Sequence, residues 1–318
     1  MTTTMPSRAA APPGSVSAPP RRRGLSASRR RQIGAAYALV LPFLVLFAAM
    51  VVVPLVYAGY LSFFKKKLIG GTSFVGAENY LRALTDPSFL SGVGRMGLFL
   101  CVQVPLMLLL SLFAALALDS GMTRLAKVAR LGIFVPYAVP SVIATLMWGY
   151  IYGPDFGPIA QVTRGLGLGT PPFFTDTGIF FSIINIVNWE FVGYNMIIMY
   201  AALRSIPTEL YEAARVDGSS ETRIALSIKV PLIRPAILLT VIFSVIGTFQ
   251  LFNEPNLMRT LAPTVIGSDW TPNLYAYNVA FVNQDANYAA ALAFLLGIVI
   301  MIISYVVQLS AQRKERRA

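Results

Sequence analysis

Six long apolar stretches run through this chain, each separated from the next by a shorter and more polar segment. A helix needs about 20 apolar residues to cross roughly 30 Å of hydrocarbon, and these stretches lack the polar stripe of a soluble surface helix. The pattern predicts an all-α polytopic membrane protein with six transmembrane helices. The predicted spans lie near residues 35–61, 96–118, 131–152, 179–203, 236–256 and 288–310.

The basic residues are concentrated on one side of these spans. Of 26 Lys and Arg residues, 19 lie in the N-terminal tail, loop 119–130, loop 204–235 and the C-terminal tail. The positive-inside rule therefore places both termini and loop 204–235 in the cytoplasm. We predict a disordered basic tail over residues 1–35, a membrane domain over 36–310 and a basic tail over 311–318. A signal peptide is the competing interpretation of the N-terminus, but the first apolar run is longer than a usual signal core.

The composition narrows the function. The chain has no histidine and a single cysteine, Cys101, which excludes a histidine-based catalytic base and an intrachain disulfide. No Gly-x-x-x-x-Gly-Lys-Ser/Thr phosphate loop occurs, so ATP would have to be bound by a partner. The net charge is +12, but the basic residues flank apolar segments and form no stripe with aromatics, which disfavours nucleic acid as a partner. We expect no enzyme activity and no cofactor in this chain.

The longest charged loop reads as two short helices joined at a glycine. Thr208 is a plausible N-cap for the first helix, and Gly218 suits the left-handed position that ends it. Ser219 or Ser220 could cap a second helix that ends just before Pro231. On these residues alone, a surface-lying amphipathic loop with solvated charges is equally consistent with the pattern.

The spacing within this loop is more specific. The order Glu-Ala-Ala, three residues, Gly, nine residues, Ile-x-Val-Pro resembles the EAA loop of ABC transporter permeases of the binding-protein-dependent (MalF/UgpA-like) carbohydrate-uptake family. The resemblance implies that the loop forms a cytoplasmic coupling helix seated in a groove of the ATPase subunit. It places the coupling site at Glu212, Ala213, Ala214, Asp217, Gly218, Ile228 and Pro231. Two positions depart from the family pattern, since Val230 stands where Leu is usual and Ala225 where a bulky aromatic is usual.

Further segments resemble the same family over roughly residues 36–310, among them Trp189–Met196 and Phe249–Pro255. The resemblance implies a permease subunit in the bacterial cell membrane that moves sugars, in particular oligosaccharides, by alternating access. It further implies a second, related permease chain as a heterodimer partner, two ATP-binding cassette subunits that hold ATP and Mg, and an external sugar-binding protein.

Polar side chains at membrane depth mark the expected substrate path, because they are costly there unless they line a cavity or find partners. Amides, hydroxyls and carboxylates beside aromatic faces suit neutral sugars. Hydrogen bonding between helices is the alternative explanation for each of these residues. The candidates are Asn188, Glu190, Phe191, Tyr194 and Asn195 in the fourth predicted span and Ser244, Thr248 and Leu251 in the fifth.

A secondary transporter driven by an ion gradient is the alternative function. It would require ionisable coupling residues within the spans and an internal repeat between the two halves. Only Glu190 lies deep in a predicted span, and no repeat is evident, so this hypothesis ranks below the ATP-driven importer.

Overall fold

The computed structural model describes residues 27–67, 70–120 and 126–315. This part of the chain is mostly helical, in agreement with the predicted fold class. Its α-helices are α1 (Ala27–Phe47), α2 (Val53–Ser62), α3 (Glu78–Thr85), α4 (Pro87–Asp119), α5 (Ala126–Phe134), α6 (Ser141–Tyr152), α7 (Pro158–Gly165), α8 (Asp176–Arg204), α9 (Glu209–Val216), α10 (Glu221–Ile224), α11 (Val230–Leu232), α12 (Arg234–Phe249), α13 (Asn253–Leu261), α14 (Pro272–Tyr277) and α15 (Ala286–Glu315). Wider π-helical turns cover Ala48–Val52, Ala225–Lys229 and Asn278–Val282, a 3₁₀ turn covers Val135–Ala138, and strands β1 (Phe64–Lys66) and β2 (Thr72–Phe74) form an antiparallel hairpin.

The chain divides into two units, residues 1–56 and 57–318. In the first unit, α1 continues through a π-helical turn into the start of α2. Its large apolar side chains, such as Leu39, Phe43 and Met50, are exposed. A helix with its backbone hydrogen bonds satisfied internally and apolar side chains outside is suited to lipid, which needs no polar partner.

The first and last helices extend into the segments that the sequence predicts as tails. Helix α1 begins at Ala27 and α15 extends to Glu315, so part of each predicted tail is helical. These stretches are rich in Arg, Gln, Ala and Lys, which favour helix, and extending an existing helix requires no new nucleus. The rest of the tails, residues 1–26 and 316–318, lies outside the described residues.

Three described helices are long and apolar enough to cross a membrane, and the number rises to five if each of two bent pairs counts as one span. Helix α8 also has the length, with 29 residues, but its polar residues make it less apolar than those three. These helices fit the predicted multi-pass membrane protein. The arrangement of six spans and the cytoplasmic position of the termini stay predictions.

Residues 131–152, predicted as one span, form a bent pair instead. Helix α5 passes into the 3₁₀ turn, and α6 then leaves at an angle of 98°. Pro136 lies in the turn and Pro140 directly precedes α6. Val139, the residue before that second proline, is extended (φ −79°, ψ 126°), as steric contact with a following proline ring favours. The two prolines therefore account for the bend.

The predicted span 236–256 ends early, because α12 stops at Phe249 and α13 starts at Asn253. A continuous helix would need the missing N–H of Pro255 to bond to the carbonyl of Leu251. The break places this proline in the first turn of α13, where no such bond is required. At the break, the backbone carbonyl oxygen of Gln250 accepts a hydrogen bond from the Asn273 side-chain amide of α14 at 3.2 Å.

Helices α4 and α8 pack along each other at the centre of the larger unit. The Ser111 hydroxyl donates to the Val192 carbonyl oxygen at 2.9 Å. On another face of α8, the backbone of Ile133 crosses directly over Gly193, where a Cβ atom would overlap the Ile133 carbonyl oxygen. Glycine is needed there because the two backbones touch.

A network around Asp86 joins α4 to two further helices, α14 and α15. Its carboxylate accepts hydrogen bonds from the backbone N–H groups of Ser88 and Phe89 at the start of α4. The hydroxyls of Tyr275 in α14 and Tyr288 in α15 each donate to its other oxygen at 2.7 Å. One carboxylate thus caps α4 and fixes two elements that are distant in sequence.

Candidate functional site

A cavity of about 370 Å³ lies between α4, α8, α12 and the break that follows α12. This volume is at the lower end of the range of small-molecule sites, about 300–1,000 Å³. Six of the eight residues predicted for the substrate path line it. They are Phe191, Tyr194, Asn195, Ser244, Thr248 and Leu251. The structure therefore brings residues of two separate predicted spans together around one space.

The other two predicted path residues, Asn188 and Glu190, are buried in helix packing away from the cavity lining. The Asn188 side-chain oxygen accepts a hydrogen bond from the Gln103 amide at 3.1 Å. The Glu190 side chain is 3% exposed, and its Oε1 atom has no hydrogen-bond partner among the described residues. For Asn188, the helix-packing explanation fits the geometry better than the path explanation.

Helix α4 and the start of α13 supply lining residues in addition to the eight predicted path residues. Phe99, Gln103 and Met107 come from α4, and Asn253 and Glu254 come from the start of α13. Gln103 could have been suspected, because it is an isolated amide in an apolar run. The apolar members of α4 carry no such signal, since they look like any lipid-facing or core residue.

The aromatic wall of the cavity is held in place from behind. The Tyr194 ring stacks on Tyr137 of the 3₁₀ turn, with centroids 4.8 Å apart and planes 20° from parallel. Phe191 meets the same Tyr137 ring edge-on at 5.9 Å. Contacts between aromatic rings in these geometries restrict ring rotation. The bend before α6 therefore orients the two rings that face the cavity.

Polar groups line the same space in fixed positions. The Asn195 amide donates to the Phe191 carbonyl oxygen at 2.9 Å, and the Ser244 hydroxyl donates to the Thr240 carbonyl oxygen at 2.7 Å. The Asn253 amide donates to the Ser141 hydroxyl at 2.9 Å. These bonds leave lone pairs on the hydroxyl oxygens of Ser141 and Ser244 and on the amide oxygen of Asn253, which can accept from a ligand, whereas the Asn195 amide oxygen is buried. The site can thus offer hydrogen bonds beside aromatic faces.

The charged loop forms two short helical arms joined at Gly218, as predicted. Gly218 adopts φ +78°, the left-handed region that favours glycine. The first arm is α9, and Ser220 caps the second by accepting the N–H of Arg223. Thr208 occupies the predicted N-cap position of α9, but its side chain makes no capping bond.

The first arm has an inner and an outer face. Tyr211 and Ala214 are buried and pack on Ile224 of the second arm. Glu212 and Ala213 are exposed. Within the Glu-Ala-Ala triplet, the second alanine thus serves packing, while the glutamate and first alanine are open to a partner.

The other residues of the predicted coupling site divide in the same way. Asp217 and Gly218 are exposed at the joint, whereas Ile228 packs against the buried cluster and Pro231 is partly buried. Pro231 does not stop the second arm, contrary to the prediction. A π-helical turn before it and α11 continue the helix to Leu232, and the chain then bends by 67° into α12.

Two ion pairs of different character hold this loop. Arg215 and Glu221 join the two arms at 2.7 Å, with both side chains about half exposed. Lys229 and Asp119 join the second arm to the end of α4 at 2.6 Å, with side chains only 5% and 4% exposed. Burial, and then the charge of Asp119, raise the pKa of the Tyr211 phenol.

The sequence pattern of one family matches residues 107–318, two thirds of the chain, and that family is the binding-protein-dependent transport system inner membrane component. The chain belongs to this family. The permease is 30% identical over 247 residues to the lactose transport system permease protein LacF of Rhizobium radiobacter, covering 76% of this chain and 82% of that protein. It is 28% identical over 280 residues to the arabinooligosaccharides transport system permease protein AraP of Bacillus subtilis (strain 168), covering 86% and 87%.

A solved structure shows the same fold. The permease superposes on a chain of a bacterial ABC transporter involved in the import of the acidic polysaccharide alginate with a TM-score of 0.77. The match covers 89% of this chain and 96% of that chain at 18% sequence identity. The resemblance to carbohydrate-uptake ABC permeases inferred from the sequence is confirmed by the family and by these relatives. The family is one of transport permease subunits rather than enzymes.

Proposed function

We propose that this permease is the membrane-spanning subunit of an ATP-driven importer of neutral oligosaccharides. The observation that carries the proposal is the cavity between α4, α8 and α12, which combines the faces of Phe191 and Tyr194 with amide and hydroxyl groups. Sugars present apolar ring faces and paired hydroxyls, so this combination complements both. The names of two relatives, for lactose and for arabino-oligosaccharides, support the same substrate class.

The charges at the cavity favour a neutral sugar over an acidic one. Among the described residues that line it, Glu254 is the ionisable carboxyl and no Lys or Arg is present. An anionic substrate would find no cationic partner among these residues, and burying a charge without a partner is costly. We therefore infer that this permease differs in substrate charge from the alginate importer that shares its fold.

The partners follow from the same proposal. A second, related permease chain completes the membrane pore, and two ATP-binding cassette subunits bind ATP and Mg outside this chain. An external sugar-binding protein delivers the substrate; a related transporter has been solved in complex with a periplasmic protein bound to an alginate pentasaccharide, which supports this part. The complex lies in the bacterial cell membrane with both termini of this chain in the cytoplasm.

The exposed face of α9 is the part that contacts the cassette subunit. Glu212 pairs with a basic group of that partner, and Gly218 allows the sharp turn at the contact. ATP binding closes the two cassettes, moves this loop, and switches the cavity from inward-facing to outward-facing so that the binding protein can release its sugar into it.

The complex reconstituted in proteoliposomes tests this function. We expect that Glu212→Ala combined with Gly218→Val lowers ATP-dependent uptake of a radiolabelled oligosaccharide about tenfold or more, since coupling free energies between sites reach this size. Lactose and arabino-oligosaccharides are the first substrates to try. Unchanged uptake by a stably assembled double variant would overturn the proposal, and uptake that stops with an ionophore while ATP is present would favour an ion-gradient-driven transporter.

A further inference from the structure

The ammonium group of Lys229 is the point where three segments of the permease meet. It donates to the Asp119 carboxylate at the end of α4, with 2.6 Å between Nζ and Oδ2. The same Nζ lies 4.7 Å from the ring centroid of Tyr211 in α9. Tyr211 is the neighbour of Glu212, which lies on the exposed face of that helix. One buried cation therefore connects the two arms of the loop with α4.

This ion pair differs from the surface pairs of the same chain. Burying two charges costs several kcal/mol per ion before their attraction repays it, so a buried pair is weak support for a role in stability alone. The Lys229–Asp119 pair does fix the geometry, because separating the two groups leaves a buried charge without a partner. The Lys65–Glu78 pair, with both side chains about half exposed, carries no such constraint.

A local irregularity of the helix is what buries Lys229. The π-helical turn Ala225–Lys229 is closed by a bond from the Val230 N–H to the Ala225 carbonyl oxygen, five residues back. In a π-helix, side chains five residues apart share a face, whereas in an α-helix they do not. Ile224 and Lys229 are five apart and both buried.

Pro231 explains why the wide turn lies at this place. A proline has no N–H to donate to the carbonyl four residues back, and its ring pushes that carbonyl away. A wide turn just before it relieves this contact. The other π-helical turn that precedes a proline, Ala48–Val52 before Pro54, has the same spacing. Pro231 therefore favours the π-helical turn, and the turn in turn buries Lys229.

Helix α4 extends from this ion pair to the cavity. Asp119 is its last residue, and Gln103 and Met107 on the same helix line the cavity wall. A displacement of α9 that moves Lys229 must pull on Asp119 or break the pair. The shared helix thus offers a direct mechanical path from the exposed face of α9 to the cavity.

We propose that Lys229 is a positioning residue for coupling, which holds the Tyr211 side of α9 against Asp119 so that the loop and α4 move together. This inference rests on the proposed coupling role of α9. The pair acts through geometry, not through contact with substrate or ATP, so its loss should uncouple ATP hydrolysis from uptake while the complex still assembles.

The decisive variant replaces both charges by apolar side chains, Asp119→Leu with Lys229→Met, because an apolar pair of similar size can replace a buried ion pair without loss of stability. The matched control is Glu78→Leu with Lys65→Met at the exposed pair. We expect the buried-pair variant, reconstituted with its partner subunits, to lose about tenfold or more of its uptake per assembled complex. Its basal ATPase rate and thermal midpoint should stay close to those of the control, and stimulation by the loaded binding protein should be lost.

Two outcomes would overturn the inference. The buried-pair variant could import at the rate of the control, or its uptake could fall only in proportion to the amount of assembled complex, which is what a purely structural pair predicts. If the Glu212 and Gly218 double variant also imports normally, the proposed function itself fails. If that variant is inactive while the buried-pair variant is active, only the role of Lys229 fails.

A second pair of variants keeps the test independent of the buried charges. Tyr211→Phe keeps the ring under the ammonium and removes a hydroxyl that has no hydrogen-bond partner among the described residues. Tyr211→Leu removes the ring. We expect wild-type coupling for the phenylalanine variant and a loss of about threefold or more for the leucine variant, because a leucine side chain presents no aromatic face to the ammonium group. Equal coupling in the two variants would contradict the proposed contact.

Discussion

The side-chain amide of Gln103 donates a hydrogen bond to the side-chain oxygen of Asn188 at 3.1 Å, and both residues are buried between α4 and α8. The bond joins the two helices beside the cavity, and Gln103 itself lines that cavity. In hydrocarbon surroundings an amide without a partner is costly, so each of these residues explains the other. This hydrogen bond explains why a polar Asn188 is buried between the helices without lining the cavity.

Replacing one partner of this hydrogen bond should cost more than replacing both. We expect Asn188→Leu to lower the stability of the permease by about 1–2 kcal/mol, because the buried Gln103 amide is then left with only the weak sulfur acceptor of Met107. In the double variant with Gln103→Leu, part of that loss should be recovered. Thermal midpoints of the four proteins in detergent give the interaction energy of the pair. Additive losses would show that the two amides do not interact.

Tyr194 and Glu190 should differ in their effect on transport. Tyr194 faces the cavity, whereas Glu190 is buried outside its lining. We expect Tyr194→Ala to reduce oligosaccharide uptake about tenfold, as loss of an aromatic contact with a ligand often does, and Glu190→Gln to change it by less than about twofold. Tyr194→Phe is the control that keeps the stacking on Tyr137. A larger effect at Glu190 than at Tyr194 would move the substrate path to the other side of α8.

The Asp86 network should make the folded permease less stable at acid pH than at neutral pH. Burial tends to raise the pKa of this carboxyl, but hydrogen bonds from Tyr275 and Tyr288 and from the backbone of α4 lower it overall. A pKa lower in the folded than in the unfolded chain, where it is about 3.9, stabilises the fold fully above that value. The stabilisation is lost as the pH falls through the folded-state pKa.

Thermal midpoints measured between pH 7 and pH 3 test this expectation. Asp86→Asn should lower stability by about 1 kcal/mol at pH 7, since hydrogen bonds to a charged group are replaced by neutral ones and water screens the partly exposed carboxylate. Towards pH 3 the wild type should approach the variant. A constant difference over the whole range would show that the charge of Asp86 contributes nothing.

The sequence predicts some of these features well and others poorly, for physical reasons. The arms around Gly218 could be predicted because the left-handed glycine and the capping Ser220 fix the backbone locally. The lining contributed by Phe99 and Met107 could not, since an apolar side chain carries no local sign of what lies opposite it. Burial of Lys229 depends on a π-helical turn, which shifts the helical periodicity on which the prediction of faces relies. The break after Phe249 was not predicted, because the apolar run continues through Leu251 and Phe252 and the effect of Pro255 falls on the backbone four residues before it.

The close contact between Gly193 of α8 and Ile133 of α5 can be tested by adding a side chain at the glycine. A side chain at Gly193 would push into the Ile133 carbonyl oxygen, so Gly193→Ala should cost about 1–3 kcal/mol, the usual range for overpacking, and shift the Tyr137 ring that supports Tyr194. Gly97 in α4 is the matched control, because a Cβ there meets nothing within 4 Å. Gly97→Ala should leave the thermal midpoint unchanged or raise it slightly, since alanine favours helix over glycine. If Gly193→Ala is as stable as Gly97→Ala and imports normally, the two segments do not touch in the working transporter. The orientation of the cavity's aromatic wall would then have another cause.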